Sequence, residues 1–516
     1  MEKIHILWAD DEIDLLKPHI IFLEQKGYSV DTATSGNEAI EKVDANNYDI
    51  IFLDENMPGL SGLETLERIK VNHAAIPVVM ITKSEEEAIM ESAIGGKISD
   101  YLIKPVNPNQ ILLSLKKNLD SKRLMNEKTS MNYQQEFRNL GMDLGNVNSV
   151  VEWKIMFRRL MYWELELEKI SDQGLHGILQ MQRTEANNLF SKFVSKNYFE
   201  WLNGKSNDVP VMSHTVFKKY VAPLIDKDPL FLIVIDNLRY DQWEILWPYL
   251  REFFNKEEED LYFSILPTAT QYARNSLFAG LLPSEIQKRY PDLWMNDDDE
   301  GGKNMHEKEF LEGQLKMLGK NVKSSYNKIT NLNAGKKLVE NFNNLLNNEL
   351  NVIVYNFVDM LSHARTEMEV IRELADNEQA YRSITKSWFE HSALFDIFKR
   401  IADKKGRVVI TTDHGTVHVK EPSKIVGDIN TNTNLRYKQG KNLNYEKKDV
   451  FEVKNPADAF LPKVNVSTTY VFAKETKFFV YPNNYNQFVN YYQNTFQHGG
   501  ISLEEMIIPV VVLKAK

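Results

Sequence analysis

Apolar and polar positions change their period twice along this chain of 516 residues. Between Ile4 and Leu102, short apolar runs alternate with amphipathic stretches. The runs Ile4–Ala9, Ser29–Ala33, Ile50–Leu53, Val78–Ile81 and Ser99–Leu102 have the length of strands, and helical patterns separate them. Strict alternation predicts a five-stranded parallel sheet with helices on both faces, a doubly wound (βα)5 domain of the α/β class over residues 1–119. After Leu119 strand-like runs and prolines disappear until Pro210. Apolar residues now recur at helical spacing, at Met156, Phe157, Leu160, Met161 and Leu167, then at Ile178, Met181, Leu189 and Phe193. Residues 120–208 therefore predict three or four antiparallel helices, a small all-α helical bundle, with His176 in a solvated loop. From 209 to 516 the alternation returns in a large α/β domain. Its strand runs are Phe231–Ile235, Phe263–Leu266, Val352–Phe357, Val408–Thr412 and the apolar run after HGGISLEEM.

Composition adds limits. Hydrophobic residues make up 43% and charged residues 26%, an ordinary globular balance. No apolar run reaches the eighteen residues or so of a membrane span, and acids crowd the N-terminus, so a cytoplasmic protein without stable membrane insertion is expected. The net charge of −10 argues against non-specific duplex DNA binding, and no basic recognition helix occurs. With no cysteine, any metal must be held by His, Asp, Glu or hydroxyl groups.

Acids close the first and third strand runs: Asp10, Asp11 and Asp54. Three carboxylates at one sheet edge repel one another unless a hard cation joins them, and Mg²⁺ suits, since it pairs with phosphate. Thr82 and Lys104 stand at the same rim, a hydroxyl and an ammonium for a phosphoryl group. With ADDE at 9–12, DENMPGLSG at 54–62, ITKS at 81–84 and YLIKP at 101–105, this region resembles a response-regulator receiver domain. The resemblance implies that Asp54 accepts the phosphoryl group from a sensor histidine kinase and that Asp10 and Asp11 bind Mg²⁺ with it. It further implies that Thr82 and Tyr101 switch, and that Lys104 clamps the phosphate ahead of a cis Pro105 peptide. It also implies dimerisation through the last strand and the helices beside it.

In the large domain, VVITTDHG at 408–415 runs from a buried strand into Asp413 and His414, with Gly415 expected to allow a tight turn. An adjacent Asp and His suit zinc, although an N-capping Asp beside an incidental His reads equally well from these residues alone. Similar acids and imidazoles follow the other runs. Asp236 ends LIVIDNLRYDQW, Asp359 and His363 share one face of a helical turn, and His498 precedes the closing strand. With Thr270 these make seven ligands, too many for one tetrahedral zinc and suited to two cations. His418 is a competing ligand, and His391 belongs to the amphipathic run Ala380–Ile401.

At these positions the chain resembles the PglZ branch of the alkaline phosphatase superfamily. Alignment of PTATQYARNSLFAGLLP with the nucleophile segment of nucleotide pyrophosphatases places Thr270 at the nucleophile. The implied centre holds two Zn²⁺, one on Asp236, Asp413 and His414 with the Thr270 oxygen, the other on Asp359, His363 and His498. Arg274 and Asn275 are candidate phosphate contacts. Asn434–Lys448 mixes cations, including Arg436 and Lys438, with Tyr437 and Tyr445, a pattern suited to a single-stranded nucleic acid. A solvated hairpin is the other reading, and Asp297–Glu300 reads as a solvated acidic loop.

A receiver, a helical linker and a PglZ domain in one chain resemble the PorX regulators of type IX secretion. That likeness implies a phosphorylation-controlled homodimer whose effector hydrolyses phosphodiesters, linear or cyclic oligonucleotides. The alternative of another class is a non-catalytic scaffold, stabilised by metal, that signals by binding a sigma factor or a secretion-motor component.

Overall fold

A computed structural model describes residues 4–73, 76–83, 98–170, 172–225, 229–297, 299, 301–367, 377–428 and 431–516; the side chains of 120–127, 173 and 363–367 lie outside the description. Two compact units emerge, Met1–Gln135 and Glu136–Lys516.

In the first unit, β1 (His5–Ala9), β2 (Ser29–Ala33), β3 (Ile50–Asp54), β4 (Val78–Thr82) and β5 (Asp100–Ile103) form a parallel sheet in the order β2-β1-β3-β4-β5. Successive side chains point to opposite faces, so Leu7 and Ala9 enter one core and Ile6 and Trp8 the other. Every residue of β3 and β4 is buried, because both faces are covered. The helices α1 (Lys17–Gln25), α2 (Gly36–Ala45) and α3 (Gly62–Asn72) lie between strands; Ser61 and Glu64 close a capping box that starts α3. Part of the surface expected to drive dimerisation falls on 84–97, outside the described residues.

The helix α4 (Pro108–Leu144) spans the boundary between the units and runs through Leu119. It is followed by α5 (Val150–Leu167) and α6 (Gln173–Leu202). His176 lies in the first turn of α6, where Asp172 accepts the backbone N–H groups of Gly174 and Leu175, and not in a loop. Trp153, Met156, Phe157, Leu160, Met161 and Leu167 form the buried stripe of α5. These two helices pack on the large domain: Phe157 meets Tyr240, Phe190 and Trp201 meet Phe263, and Tyr198 meets Phe451.

The large domain is built on β6 (Leu230–Ile235), β7 (Phe254–Phe263), β8 (Ser324–Ile329), β9 (Leu350–Tyr355), β10 (Arg407–Thr411) and β11 (Ile507–Ala515), in the order β7-β11-β10-β6-β9-β8. β10, β6, β9 and β8 are parallel, and β11 runs antiparallel to β10 and β7. Of the strand expected at Phe263–Leu266 only Phe263 is a strand residue, the last of β7, whose charged run Lys256–Asp260 is compatible with a sheet edge. All six residues of β6 are buried, each aliphatic side chain contributing about 1.5–3 kcal/mol of burial. Register then aligns the strand ends. Val234 faces Thr411 and Val354, and Ile235 faces Tyr355, so Asp236, Asp413 and the turn after β9 emerge together at one edge.

Candidate active site

Thr270 opens the helix α7 (Thr270–Ala279) at this edge. Its N-cap, Ala269, has no side-chain acceptor; its carbonyl takes the Tyr272 N–H, and the Thr270 and Gln271 N–H groups face the helix start, where an anion is favoured. The Thr270 hydroxyl oxygen lies 3.1 Å from His414 Nε2 and 3.4 Å from Asp236 Oδ1. His414 Nε2 in turn lies 3.9 Å from Asp236 Oδ1 and 3.7 Å from Asp413 Oδ2. His414 Nδ1 donates to the Gly415 carbonyl at 3.1 Å, which leaves the Nε2 lone pair facing the hydroxyl. Burial pushes the imidazole down to about 4, so it is neutral. Burial also raises the Asp236 carboxyl to about 6, against the pull of Arg274 and with the push of Asp413.

Asp359, on the helix Phe357–Glu367, stands beside this trio with its Oδ1 3.8 Å from His498 Nε2. The His498 ring stacks on that of His414, centroids 4.2 Å apart, and its Nδ1 donates to the Thr268 carbonyl at 3.0 Å. Burial, then the charges of Asp236 and Asp413, hold the Asp359 carboxyl well above its ordinary range. His363 lies in the same helix, but its side chain is outside the described residues. Six of the seven expected ligands thus meet at one edge.

The donor set fits divalent cations. Among the described residues, Asp236, Asp413 and His414 form one of two groups able to offer ligand atoms within 4.8 Å of one another. Asp413 Oδ2 is buried and has no hydrogen-bond partner. Carboxylate and imidazole together, without thiolate, suit Zn²⁺.

Several supports escaped the sequence reading. Asn237 adopts a positive φ of 64° directly after Asp236. Its backbone N–H donates to Asp413 Oδ1 at 3.3 Å, and its side chain donates to Asp359 Oδ1 at 3.4 Å, so one residue ties both halves of the site. The dipeptide Asp236-Asn237 after an apolar run was the available signal. Thr268 holds the turn before β11 by accepting from Gly499 N and donating to Gly500 O. Gly415 serves close approach and not a turn: a Cβ there would lie 2.0 Å from the Glu504 carbonyl oxygen.

A buried ion network lies behind this edge. Arg183 on α6 meets Glu164 at 3.1 Å, Glu378 at 3.1 Å and Glu504 at 2.7 Å. Arg239, three residues beyond Asp236, pairs with Asp241 and lies 2.9 Å from Glu378. Arg382 pairs with Asp241 at 2.6 Å and with Glu164 at 3.3 Å. Burial opposes the charge on Glu378, but Arg183 and Arg239 outweigh it and hold that carboxyl far below its ordinary range.

The four expected substrate contacts are engaged by groups of the protein. Arg274 is buried and bound to Asp236 and Glu307, since the crowded carboxylates need a cation. The Asn275 amide is taken up by Lys303 O and Asn304. Arg436 is fully buried on Glu505, 2.6 Å away. Lys438 is buried over the Tyr481 ring and donates to Asn432 O, and burial lowers its ammonium to about 7. The first part of the stretch 434–448 is not solvated, since Tyr437–Gly440 is a strand paired with Thr469–Ala473, whereas Lys441, Asn442, Asn444 and Glu446–Lys448 are exposed. Asp297 is likewise not solvated, accepting from Tyr272, Tyr437 and Asn432; Asp298 and Glu300 lie outside the described residues. His418 is held by the Asn494 carbonyl and stacked on Phe496. His391 is the exposed C-cap between two helices, Glu378–Glu390 and Ala393–Asp403, which divide the run expected as one.

The receiver unit holds the second ligand group, Asp10, Asp11 and Asp54. Lys104 Nζ lies 3.0 Å from Asp10 and 2.9 Å from Asp54, after which the Lys104–Pro105 peptide is cis. Asp54 Oδ2 is buried without a hydrogen-bond partner. Burial, countered by Lys104 and reinforced by Asp10, raises the Asp54 carboxyl. Thr82 is buried at the end of β4, while Tyr101 is 40% exposed.

Among curated proteins, residues of this chain are 37% identical over 111 positions to the transcriptional regulatory protein ResD of Bacillus subtilis, covering 22% of this chain and 46% of the relative. SrrA of Staphylococcus aureus is 30% identical over 111 positions, with the same coverage. The chain spans about half the length of these relatives. Solved structures similar to it include a CheY-like receiver domain protein from Methanospirillum hungatei, 28% identical, covering 23% of this chain and 96% of that one with a TM-score of 0.22. The regulator TrrA of Thermotoga maritima is 31% identical over 22% of this chain and 99% of its own, TM-score 0.21. Family models match in three consecutive blocks: a response regulator receiver domain at 6–116, a PorX response regulator linker domain at 123–202, and the BREX system PglZ alkaline phosphatase-like domain at 216–513. The last covers more than half of the sequence, and the chain belongs to the PglZ family, in the PorX-type form that joins a receiver and a linker to the PglZ domain.

Proposed function

We propose that this response regulator is a zinc-dependent phosphodiesterase whose nucleophile is Thr270 and whose substrates are linear or cyclic oligonucleotides. One observation carries the reading: a helix-opening hydroxyl stands 3.1 Å from His414 Nε2 and 3.4 Å from Asp236 Oδ1, inside a buried set of acids and imidazoles. Asp236, Asp413 and His414 would hold one Zn²⁺ with the Thr270 oxygen, and Asp359 and His498, with His363, a second. Such ions lower the pKa of an oxygen they bind and neutralise charge on the phosphorus oxygens.

The chain's own groups do the rest. The uncapped first turn of α7 orients the phosphoryl oxygens. Thr270 Oγ1 loses its proton and attacks phosphorus in line, forming a threonyl phosphodiester that keeps one substituent, as the bond to the other alcohol breaks and that oxygen takes up a proton. Water then cleaves the threonine ester and restores the hydroxyl. Asn237 keeps both halves of the site in register through Asp413 and Asp359.

Receiver domains are phosphorylated by sensor histidine kinases and often dimerise. Phosphorylation of Asp54, with Mg²⁺ on Asp10 and Asp11, would govern the effector through a homodimer, with Thr82 and Tyr101 as the switch pair and Lys104 as the clamp. The PorX-type arrangement supports a role in type IX secretion. The test is Thr270→Ala in the full chain, assayed on bis(p-nitrophenyl) phosphate. Turnover is expected to fall by about 10³-fold or more while bound zinc is retained. Unchanged turnover would reject Thr270 as nucleophile, and a wild type without turnover would favour the scaffold.

A further inference from the structure

The diesterase reading leaves open what the rest of the substrate touches. Arg436 and Lys438 are buried among protein partners and present no cationic track. What opens beside His498 is a cavity of about 860 Å³. Gln271, next to Thr270, also lines it, so one substituent of a phosphodiester at Thr270 has this cavity beside it.

The walls are rich in carboxamides and poor in positive charge. Gln271, Asn432, Asn434, Gln439 and Gln497 line the cavity, with Tyr437, Tyr491 and Tyr492. Apart from His498, its ionisable carboxylates and amines are Asp297, Asp428 and Lys441. Two carboxylates against one ammonium disfavour a second phosphate inside. Gln439 is 8% exposed, and its Oε1 has no hydrogen-bond partner. A buried amide oxygen left unpaired is costly unless a ligand supplies the donor. Asn432, by contrast, is spent within the wall: its amide donates to Asp297 and accepts from Gln439 N.

A carboxamide sets a donor and an acceptor side by side, which matches the edge of a nucleobase, and tyrosine faces suit stacked rings. The volume lies in the range of pockets that enclose one small-molecule unit and not a polymer. We propose that this cavity receives a single nucleoside of the diester, base inward, with Gln439 selecting the base edge. The proposal rests on the diesterase reading for the orientation of the substrate, but its binding arm does not.

Two measurements on the zinc-loaded full chain test it. The first is the ratio of kcat/KM for p-nitrophenyl esters of nucleoside 5′-monophosphates to that for bis(p-nitrophenyl) phosphate. At least one base is expected to be favoured about tenfold, and Gln439→Leu to lower that ratio about tenfold, since one lost polar contact to a base has that scale. The base-free ester controls for folding. A Gln439→Leu ratio within twofold of wild type overturns the proposal while leaving the diesterase reading intact. The second is titration calorimetry with nucleoside 5′-monophosphates and with inorganic phosphate. One nucleotide is expected to bind at least about tenfold more tightly than phosphate, and Gln439→Leu to remove the difference. Equal affinities in the wild type overturn the nucleoside pocket, whereas nucleotide binding without turnover of any ester would sink the diesterase reading alone.

Discussion

Lys438 shows at the scale of one residue how burial overrides a sequence reading. An unfolded lysine releases its proton near pH 10.4 or so, but burial lowers Lys438 to about 7. Between those values the unfolded chain binds more protons, so this group makes stability rise with pH across the window. At and below pH 7 its ammonium is charged in both states, and the full cost of burying it is present. Lys438→Met is therefore expected to stabilise the second unit on the order of 2 kcal/mol near pH 7, a gain that dwindles toward pH 10. Thermal melts at several pH values check this; a gain independent of pH would contradict it. The same contrast explains what was legible. Asp236, Asp413, His414, Asp359 and His498 were visible because each follows an apolar strand or opens a turn, and the register of parallel strands gathers such residues. Arg436 and Lys438 were misread because their partners, Glu505 and the Asn432 carbonyl, cannot be known from the local run of charge. The alignment placed Arg274 along the chain but said nothing of the acids that surround it, Asp236 and Glu307.

Among elements, the ion network makes α5 and α6 part of the large domain. Arg183 bridges three acids contributed by α5, by the helix Glu378–Glu390 and by the short helix Leu503–Met506 before β11. Taking away one buried partner strands the others. Arg183→Met is expected to lower the unfolding free energy of the second unit by about 3 kcal/mol. Arg183→Met with Glu504→Gln should lose less than the sum of the two single changes, because they share one interaction. Urea denaturation followed by tryptophan fluorescence measures both; strict additivity would show that the contact contributes nothing. The strands of the first sheet and β6, β9, β10 and β11 were readable from apolar runs, and α5 from its spacing, whereas β8 was missed because its run SSYNKI is mostly polar. The beginning of β7 was hidden by its charged run, because alternation is lost where a strand lies at the sheet edge. The antiparallel course of β11 was hidden because apolar periodicity carries no strand direction.

For the whole molecule, the order α/β, helical, α/β could be read from two changes of period, the motif resemblances added receiver and PglZ, and the family matches fall in that order. Among the described residues, no helix is long and apolar enough to cross a membrane. Asp54 and Lys104 lie 2.9 Å apart, and Asp54 Oδ2 has no partner, an arrangement ready for a phosphoryl group. Beryllofluoride with Mg²⁺ is expected to convert the wild type to a dimer by light scattering and to leave Asp54→Asn unchanged. Equal masses for both proteins under both conditions would separate the receiver from assembly. The most direct test of the central claim is anomalous scattering at the zinc edge from crystals of the full chain. Two peaks roughly 3.5–4 Å apart are predicted, one among Asp236, Asp413, His414 and Thr270, the other between Asp359 and His498. Zinc-grown crystals with no peak at the first position, and Arg274 alone balancing its carboxylates, would contradict the account.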